Sequence, residues 1–139
     1  MNVENAIKKV ERKQMKAQET AEKYLKKGQE MEYLSVECEA EAEGDKKAEY
    51  EAWRVKNKSD RYYQKHVTAR MYAEELEEVI EVLKHKDRDE KVLFVNEERF
   101  ENEYSLYGDN EGEWGNTIAS MVKCELNNTN VIVICIKKL

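Results

Sequence analysis

The chain has 139 residues, of which 39% are charged, and a formal net charge of −6 at pH 7. This length allows one domain or two small ones, and the negative charge disfavours non-specific binding to nucleic acid or to an anionic membrane. The first 16 residues are polar, unlike a secretory signal peptide, and no apolar stretch reaches a membrane-spanning length. The three cysteines follow no paired or metal-ligand spacing. We therefore expect a reduced, cytoplasmic protein without a membrane partner.

Residues 1–88 carry the pattern of a long antiparallel helical hairpin. Small or apolar residues recur in alternating steps of 3 and 4 along two stretches, which start at Ile7 and Ala48. When the chain is folded back, the facing residue numbers sum to 90, so Tyr24 is predicted to face His66. Gly44 suits a left-handed helix end, and Asp45 suits the cap of the second helix. We therefore predict a coiled-coil hairpin whose bend lies near residues 43–46.

The region around the bend is acidic and carries large apolar side chains that lie off the predicted seam. Exposed Trp and Tyr side chains are favoured anchors of protein interfaces. One alternative to a partner is that a second copy or the C-terminal segment covers the apolar side chains. For the carboxylates, the alternatives are binding of a divalent cation and plain solvation. The predicted partner-binding residues are Tyr33, Val36, Asp45, Glu49, Tyr50 and Trp53.

Recognisable catalytic motifs are missing from the sequence. It has no glycine-rich phosphate loop, no Ser or Cys nucleophile motif with a supporting histidine, and no zinc-ligand spacing. His66 is predicted to hydrogen-bond near Tyr24 and fix the register of the helices. Tyr62 belongs to the seam, so the basic stretch 54–70 offers a thin base-stacking platform and direct nucleic-acid binding is not predicted. We predict a non-enzyme with no catalytic residue, no cofactor and no metal site.

Residues 89–139 change to the alternating pattern of a small antiparallel β-sheet with three or four strands. The last strand is apolar on both faces, which predicts a central position with one face covered by the base of the hairpin or by a second copy. Cys124 and Cys135 are predicted to face each other across the last hairpin as buried thiols. The predicted strands cover 92–95, 100–106, 118–126 and 131–136, with turns at 108–115 and 127–130.

A helical hairpin with an acidic bend and a small C-terminal β domain resembles the Gre transcript-cleavage factors. The local match is Gly44-Asp45 followed by Ala48-Glu49-Tyr50. The resemblance implies insertion of the hairpin into the secondary channel of RNA polymerase, with Asp45 matching the first of two carboxylates that hold a catalytic magnesium ion. The second carboxylate has no counterpart, because this loop is two residues shorter. The resemblance therefore implies occupancy of the channel without cleavage chemistry.

These features predict an α+β, non-catalytic intracellular protein that binds and modulates or inhibits a larger protein or nucleoprotein complex through a basic or apolar cleft. In its size, acidity and lack of motifs, the chain resembles phage-encoded inhibitors of host machinery, including anti-CRISPR proteins and nucleic-acid mimics. One alternative is a Gre-like regulator of RNA polymerase. Another is a structural coiled-coil subunit that forms a homodimer through the β-sheet.

Overall fold

The computed structural model describes residues 1–104 and 114–139. Two helices of 39 residues each pack together and are followed by a small mixed sheet, which confirms the predicted α+β fold. No helix in the described ranges is both long and apolar enough to cross a membrane. The elements are α1 (Val3–Glu41), α2 (Lys46–Lys84), β1 (Lys91–Val95), α3 (Glu97–Arg99), a π-helical turn (Phe100–Tyr104), β2 (Trp114–Gly115), β3 (Ala119–Leu126) and β4 (Thr129–Ile136).

The chain divides into two compact units. Unit 1 comprises Met1–Met15 and Tyr72–Leu139, and unit 2 comprises Lys16–Met71. Unit 1 thus contains the start of α1, the end of α2 and the whole sheet, while unit 2 contains the middle of the hairpin and its bend. The division at residue 88 that the sequence suggests stays a prediction.

The bend of unit 2 is built as the sequence predicts. Gly44 has a φ of 77°, a left-handed conformation that a residue with a Cβ adopts only with strain. The Asp45 amide donates to the Ala42 carbonyl at 3.0 Å, which closes the end of α1. The Asp45 carboxylate then accepts from the Lys47 amide at 3.0 Å and so caps α2.

Hydrogen bonds and ring contacts join the two helices along the seam. Three side chains bond carbonyls of the facing helix: Gln14 bonds Ala73, His66 bonds Ala21, and Ser59 bonds Gly28. Their residue numbers sum to 87, whereas the contacts of Gln14 with Glu77 and of Gly28 with Tyr63 sum to 91, so the contacts lie on both sides of the predicted sum of 90. His66 bonds the Ala21 carbonyl rather than Tyr24, and Tyr24 stacks on Tyr62 with ring centroids 6.1 Å apart.

The seam of unit 2 is built from short side chains. The buried side chains of unit 2 are Ala17, Ala21, Ser35, Ala42, Ala52, Ser59 and Ala69. Such short side chains let the two helices approach each other closely.

The sheet of unit 1 has the strand order β1-β4-β3-β2, so β4 is central, as predicted. It is mixed rather than purely antiparallel, because β1 pairs with β4 in parallel. A two-residue turn at Asn127 and Asn128, both with positive φ, makes β4 antiparallel to β3. Because β4 lies between β1 and β3, it is parallel to one neighbour and antiparallel to the other.

The predicted strand at residues 100–106 is wrong for the residues described there. Asn96 caps α3 by accepting from the Arg99 amide at 2.8 Å, and a π-helical turn follows. Phe100 and Tyr104 are four residues apart, so both point from one helical face and are buried in a cluster on one side of the sheet. Ser105 and Leu106, and most of the predicted turn at 108–115, lie outside the described residues.

Both faces of the central strand are covered within unit 1. Val131, Val133 and Cys135 pack with Phe100 and Tyr104. On the other face, the alternate side chains Ile132 and Ile134 are fully buried as well. The other largest fully buried side chains in unit 1 are Leu76, Ile80, Leu83 and Met121.

The predicted pairing of Cys124 with Cys135 is wrong. Cys124 lies opposite Val131 and Cys135 lies opposite Ser120, because facing residue numbers of β3 and β4 sum to 255, whereas Cys124 and Cys135 sum to 259. Both are buried free thiols, and burial raises the pKa of each.

Candidate partner-binding surface

The six residues predicted to bind a partner all lie in unit 2, and we call them the bend surface. Four of them are large apolar side chains that are well exposed: Tyr33 at 68%, Val36 at 60%, Tyr50 at 58% and Trp53 at 56%. Tyr50 and Trp53 stack on each other, with ring centroids 5.7 Å apart and an angle of 30° between the rings. Such stacking holds both rings in a fixed orientation on the surface. The structure therefore brings Tyr50 and Trp53 together, whereas no ring contact among the described residues joins Tyr33 to them.

The two acidic members of the bend surface differ in their roles. One carboxylate oxygen of Asp45 accepts from the Lys47 amide, and the Asp45 carbonyl accepts from the Glu49 amide at 2.9 Å. Asp45 is therefore occupied in starting α2. Glu49 is exposed and lines a groove beside Trp53.

A groove runs between α1 and α2 next to the bend. Its first part has a volume of about 410 Å³ and is lined by residues that include Glu43, Glu49 and Trp53. A second part, of about 220 Å³, is lined by residues that include Val36 and Tyr63. Glu39 and Lys56 line both parts, so the two are continuous.

The charge of these two parts is strongly unbalanced. Five carboxylates line them, and Lys56 is the one basic residue among the lining residues described. No described residue forms an ion pair with these carboxylates within 4.0 Å. The groove is therefore a place of negative potential beside apolar walls, a combination that attracts cations and basic side chains. The five carboxylates belong to Glu32, Glu39, Glu43, Glu49 and Asp60.

Tyr63 forms the wall of the groove farthest from the bend. Its hydroxyl donates to Glu32 at 2.5 Å, and this hydrogen bond raises the pKa of the phenol above its ordinary value. A Cβ on Gly28 would lie 3.2 Å from the Tyr63 ring, so glycine lets this ring lie close to α1. Tyr63 is thereby held across the gap between the two helices.

The sequence analysis missed Glu32, Glu39, Lys56 and Tyr63 as groove residues, although the spacing contains a signal for them. Each directly follows a seam residue, and within each helix they are seven residues apart. Residues in that heptad position flank the seam on one side. Their acidic and aromatic character could have been recognised as one edge of the hairpin rather than as scattered surface charge.

The other side of the seam carries basic residues with aromatic partners. The Lys65 ammonium lies 5.3 Å from the Tyr24 ring centroid, and the Lys27 ammonium lies 5.7 Å from that of Tyr62. Lys27 and Lys65 each directly precede a seam residue, which places them on the opposite side from the groove. These cations stabilise the stacked tyrosines, and we call the surface around Lys27 and Lys65 the basic side of unit 2.

His66 and the carboxylates do not form a metal centre. The His66 Nδ1 atom lies 2.7 Å from the Ala21 carbonyl oxygen and donates its proton there. Among the described residues, no group of three or more His, Cys, Asp or Glu side chains is placed to hold a metal ion. The surface of unit 2 therefore offers exposed apolar area and charge, which are the means of non-covalent binding. Comparisons with protein-family models, curated proteins and solved structures give no match.

Proposed function

We propose that this protein is a non-catalytic binding module that modulates or inhibits a larger protein or nucleoprotein complex through its bend surface. The observation that carries the proposal is the stacked pair Tyr50 and Trp53, both more than half exposed beside an acidic groove. Trp and Tyr are the residues most enriched among those that dominate binding energy at protein interfaces. They combine a large apolar area with few rotatable bonds, so ordering them on binding costs little entropy.

The charges around this pair favour a basic partner. Negative potential from the groove carboxylates accelerates encounter with a basic cleft and opposes contact with an acidic one. The expected mode of action is steric, because a bound hairpin occupies a cleft that the partner otherwise uses.

Affinity capture from a lysate of the source organism tests this proposal. The double variant Tyr50→Ala/Trp53→Ala should lose the captured partner, because both aromatic anchors are removed, while its far-UV circular dichroism stays unchanged. The matched control is Met15→Ala/Met71→Ala, which removes two side chains that are 60% and 54% exposed but lie away from the bend. The control should capture the partner as the wild type does.

Two results would contradict the proposal. One is equal capture by wild type and by Tyr50→Ala/Trp53→Ala. The other is a stable homodimer, seen by light scattering at micromolar concentration, that the double variant converts to monomer. The second result would mean that another copy of the chain covers the aromatic pair.

A second candidate is occupancy of the RNA polymerase secondary channel without cleavage. It is supported by the helical hairpin whose bend presents Asp45 and Glu49, and by the capping role of the Asp45 carboxylate, which accounts for this residue without a metal ion. The protein should compete with a fluorescent secondary-channel ligand on purified RNA polymerase and should not stimulate transcript cleavage. Failure to displace the ligand would end this candidate.

A further inference from the structure

The groove between the two helices extends along α2 from Glu49 to Tyr63. A shallower depression of about 500 Å³ follows, but its lining residues, Tyr63, Gln64, Val67 and Thr68, all belong to α2. On the α2 side, the wall that faces α1 therefore ends at Tyr63.

The length of this wall suits a packed helix. Its outer residues, Glu49, Trp53, Lys56, Asp60 and Tyr63, are separated by 3 or 4 residues and so form one stripe along α2, while Ala52 and Ser59 lie buried beneath them. At 1.5 Å per residue, the 14 steps from Glu49 to Tyr63 span about 21 Å. Two packed helices with an open groove of this kind present the site that a third helix occupies in a bundle.

The composition of the groove selects one kind of helix. Its exposed apolar area comes from Val36 and Trp53, beside the Tyr63 ring, and fits the apolar stripe of an amphipathic helix. Its charged rim has five carboxylates against Lys56. Charges on the flanks of a bound helix set partner choice at such rims, so the flanks of the occupant must be basic.

We propose that this groove binds a basic amphipathic helix of about four turns from a partner protein. The inference rests on the proposed function and names the structural element that the partner contributes. A second copy of this chain is a poor occupant, because a symmetric contact through the groove would bring the same carboxylates of two copies together.

Three designed peptides of 18 residues provide the probe. All three share one apolar stripe of Leu and Ala at helical spacing, and only their flanks differ. The flanks of the basic peptide carry Arg and Lys, those of the Gln peptide carry Gln, and those of the Glu peptide carry Glu. Fluorescence anisotropy with the full-length protein at low salt should show that the basic peptide binds about tenfold more tightly than the Gln peptide, while the Glu peptide does not bind. The affinity of the basic peptide should fall as the salt concentration rises.

Charge-reversal variants locate the site. Glu39→Lys/Asp60→Lys, in the groove, should weaken binding of the basic peptide about tenfold. The matched control is Glu30→Lys/Glu37→Lys, which makes the same charge change at exposed residues that directly precede the seam of α1 and so lie on its other side. The control should change the affinity less than about twofold, because salt screens distant surface charges. Amide shifts in ¹⁵N NMR spectra should cluster at Val36, Trp53 and Tyr63.

Equal affinity for all three peptides, equal loss in the two charge-reversal variants, or amide shifts confined to the basic side of unit 2 would each overturn the inference. These results are independent of the capture experiment. Loss of capture by Tyr50→Ala/Trp53→Ala, together with no preference for the basic peptide, would support the proposed function and reject the helix. Groove binding of the basic peptide together with unchanged capture would support the helix and reject the proposed function.

Discussion

The two units of this protein use their apolar residues in opposite ways. In the described part of unit 1, the large aliphatic side chains of the helix ends and the sheet are buried, and Leu76, Ile134 and Val133 have no exposed surface. In unit 2, alanine and serine fill the space between the helices, while Tyr33, Val36, Tyr50 and Trp53 are all more than half exposed. Large apolar side chains are therefore buried in a core in unit 1 and exposed to water in unit 2.

This difference separates folding from binding. Burial of apolar surface stabilises a fold by about 25 cal/mol per Å², so unit 1 obtains most of this contribution from its own residues. Unit 2 gains less from its seam, because alanine and serine bury little apolar area. Its exposed aromatic rings instead provide area that a partner can bury.

The largest effect should come from the core of unit 1. Ile134→Ala should destabilise the protein by about 2–5 kcal/mol, since it removes a fully buried side chain from the central strand and leaves a cavity. Urea denaturation followed by circular dichroism measures this loss. Val36→Ala, at an exposed position, should change the free energy of unfolding by less than about 0.5 kcal/mol. Similar losses for the two variants would remove the distinction between the units.

Hydrogen exchange should resolve the same difference without mutation. Amides of β4 should exchange only through global unfolding, because both faces of that strand are covered. Amides of α1 and α2 near the bend should open with a free energy that is lower by about 2 kcal/mol, because few large side chains hold them. Equal protection in both places would show that the hairpin and the sheet unfold as one cooperative block.

A smaller effect is expected at the seam of unit 2. Ser59 is buried and its hydroxyl donates to the Gly28 carbonyl at 2.8 Å, so Ser59→Ala should cost about 1 kcal/mol. Thr68→Ala is the control, because its hydroxyl is exposed and bonds the Gln64 carbonyl of its own helix. Thermal unfolding of the two variants gives the comparison. A Ser59→Ala variant as stable as wild type would contradict the hydrogen bond between Ser59 and the Gly28 carbonyl.

Local chemistry made much of this fold predictable from sequence. Gly44 and Asp45 gave the bend, because a left-handed glycine and a capping carboxylate act through their immediate neighbours. The apolar run in β4 indicated the central strand, since only a strand covered on both faces tolerates such a run.

The errors arose where distant contacts decide the outcome. The hydrogen-bond partner of His66 depends on how the two helices pack, so the Ala21 carbonyl was not foreseen. The parallel partner of β4 depends on where β1 enters the sheet, which no single strand specifies. Phe100 and Tyr104 fit both an alternating and a helical pattern, and the Asn96 cap, together with burial of both rings on one helical face, favours the helix.

Part of the candidate site was also predictable. Tyr50 and Trp53 were recognisable because they lie off the seam, and a helical spacing of three residues allows their rings to meet. The groove beside them was missed, because its carboxylates come from two helices and join only when the helices pack side by side.

The central claim is that the bend surface of unit 2 is where a partner binds. Site-specific photo-crosslinking in cells tests it most directly, with p-benzoylphenylalanine placed at Tyr50 in one variant and at the equally exposed Met15 in another. The account predicts that the Tyr50 variant forms a crosslinked product with a second protein and the Met15 variant does not. Crosslinking from Met15 alone, or crosslinking of the Tyr50 variant only to another copy of the same chain, would contradict it.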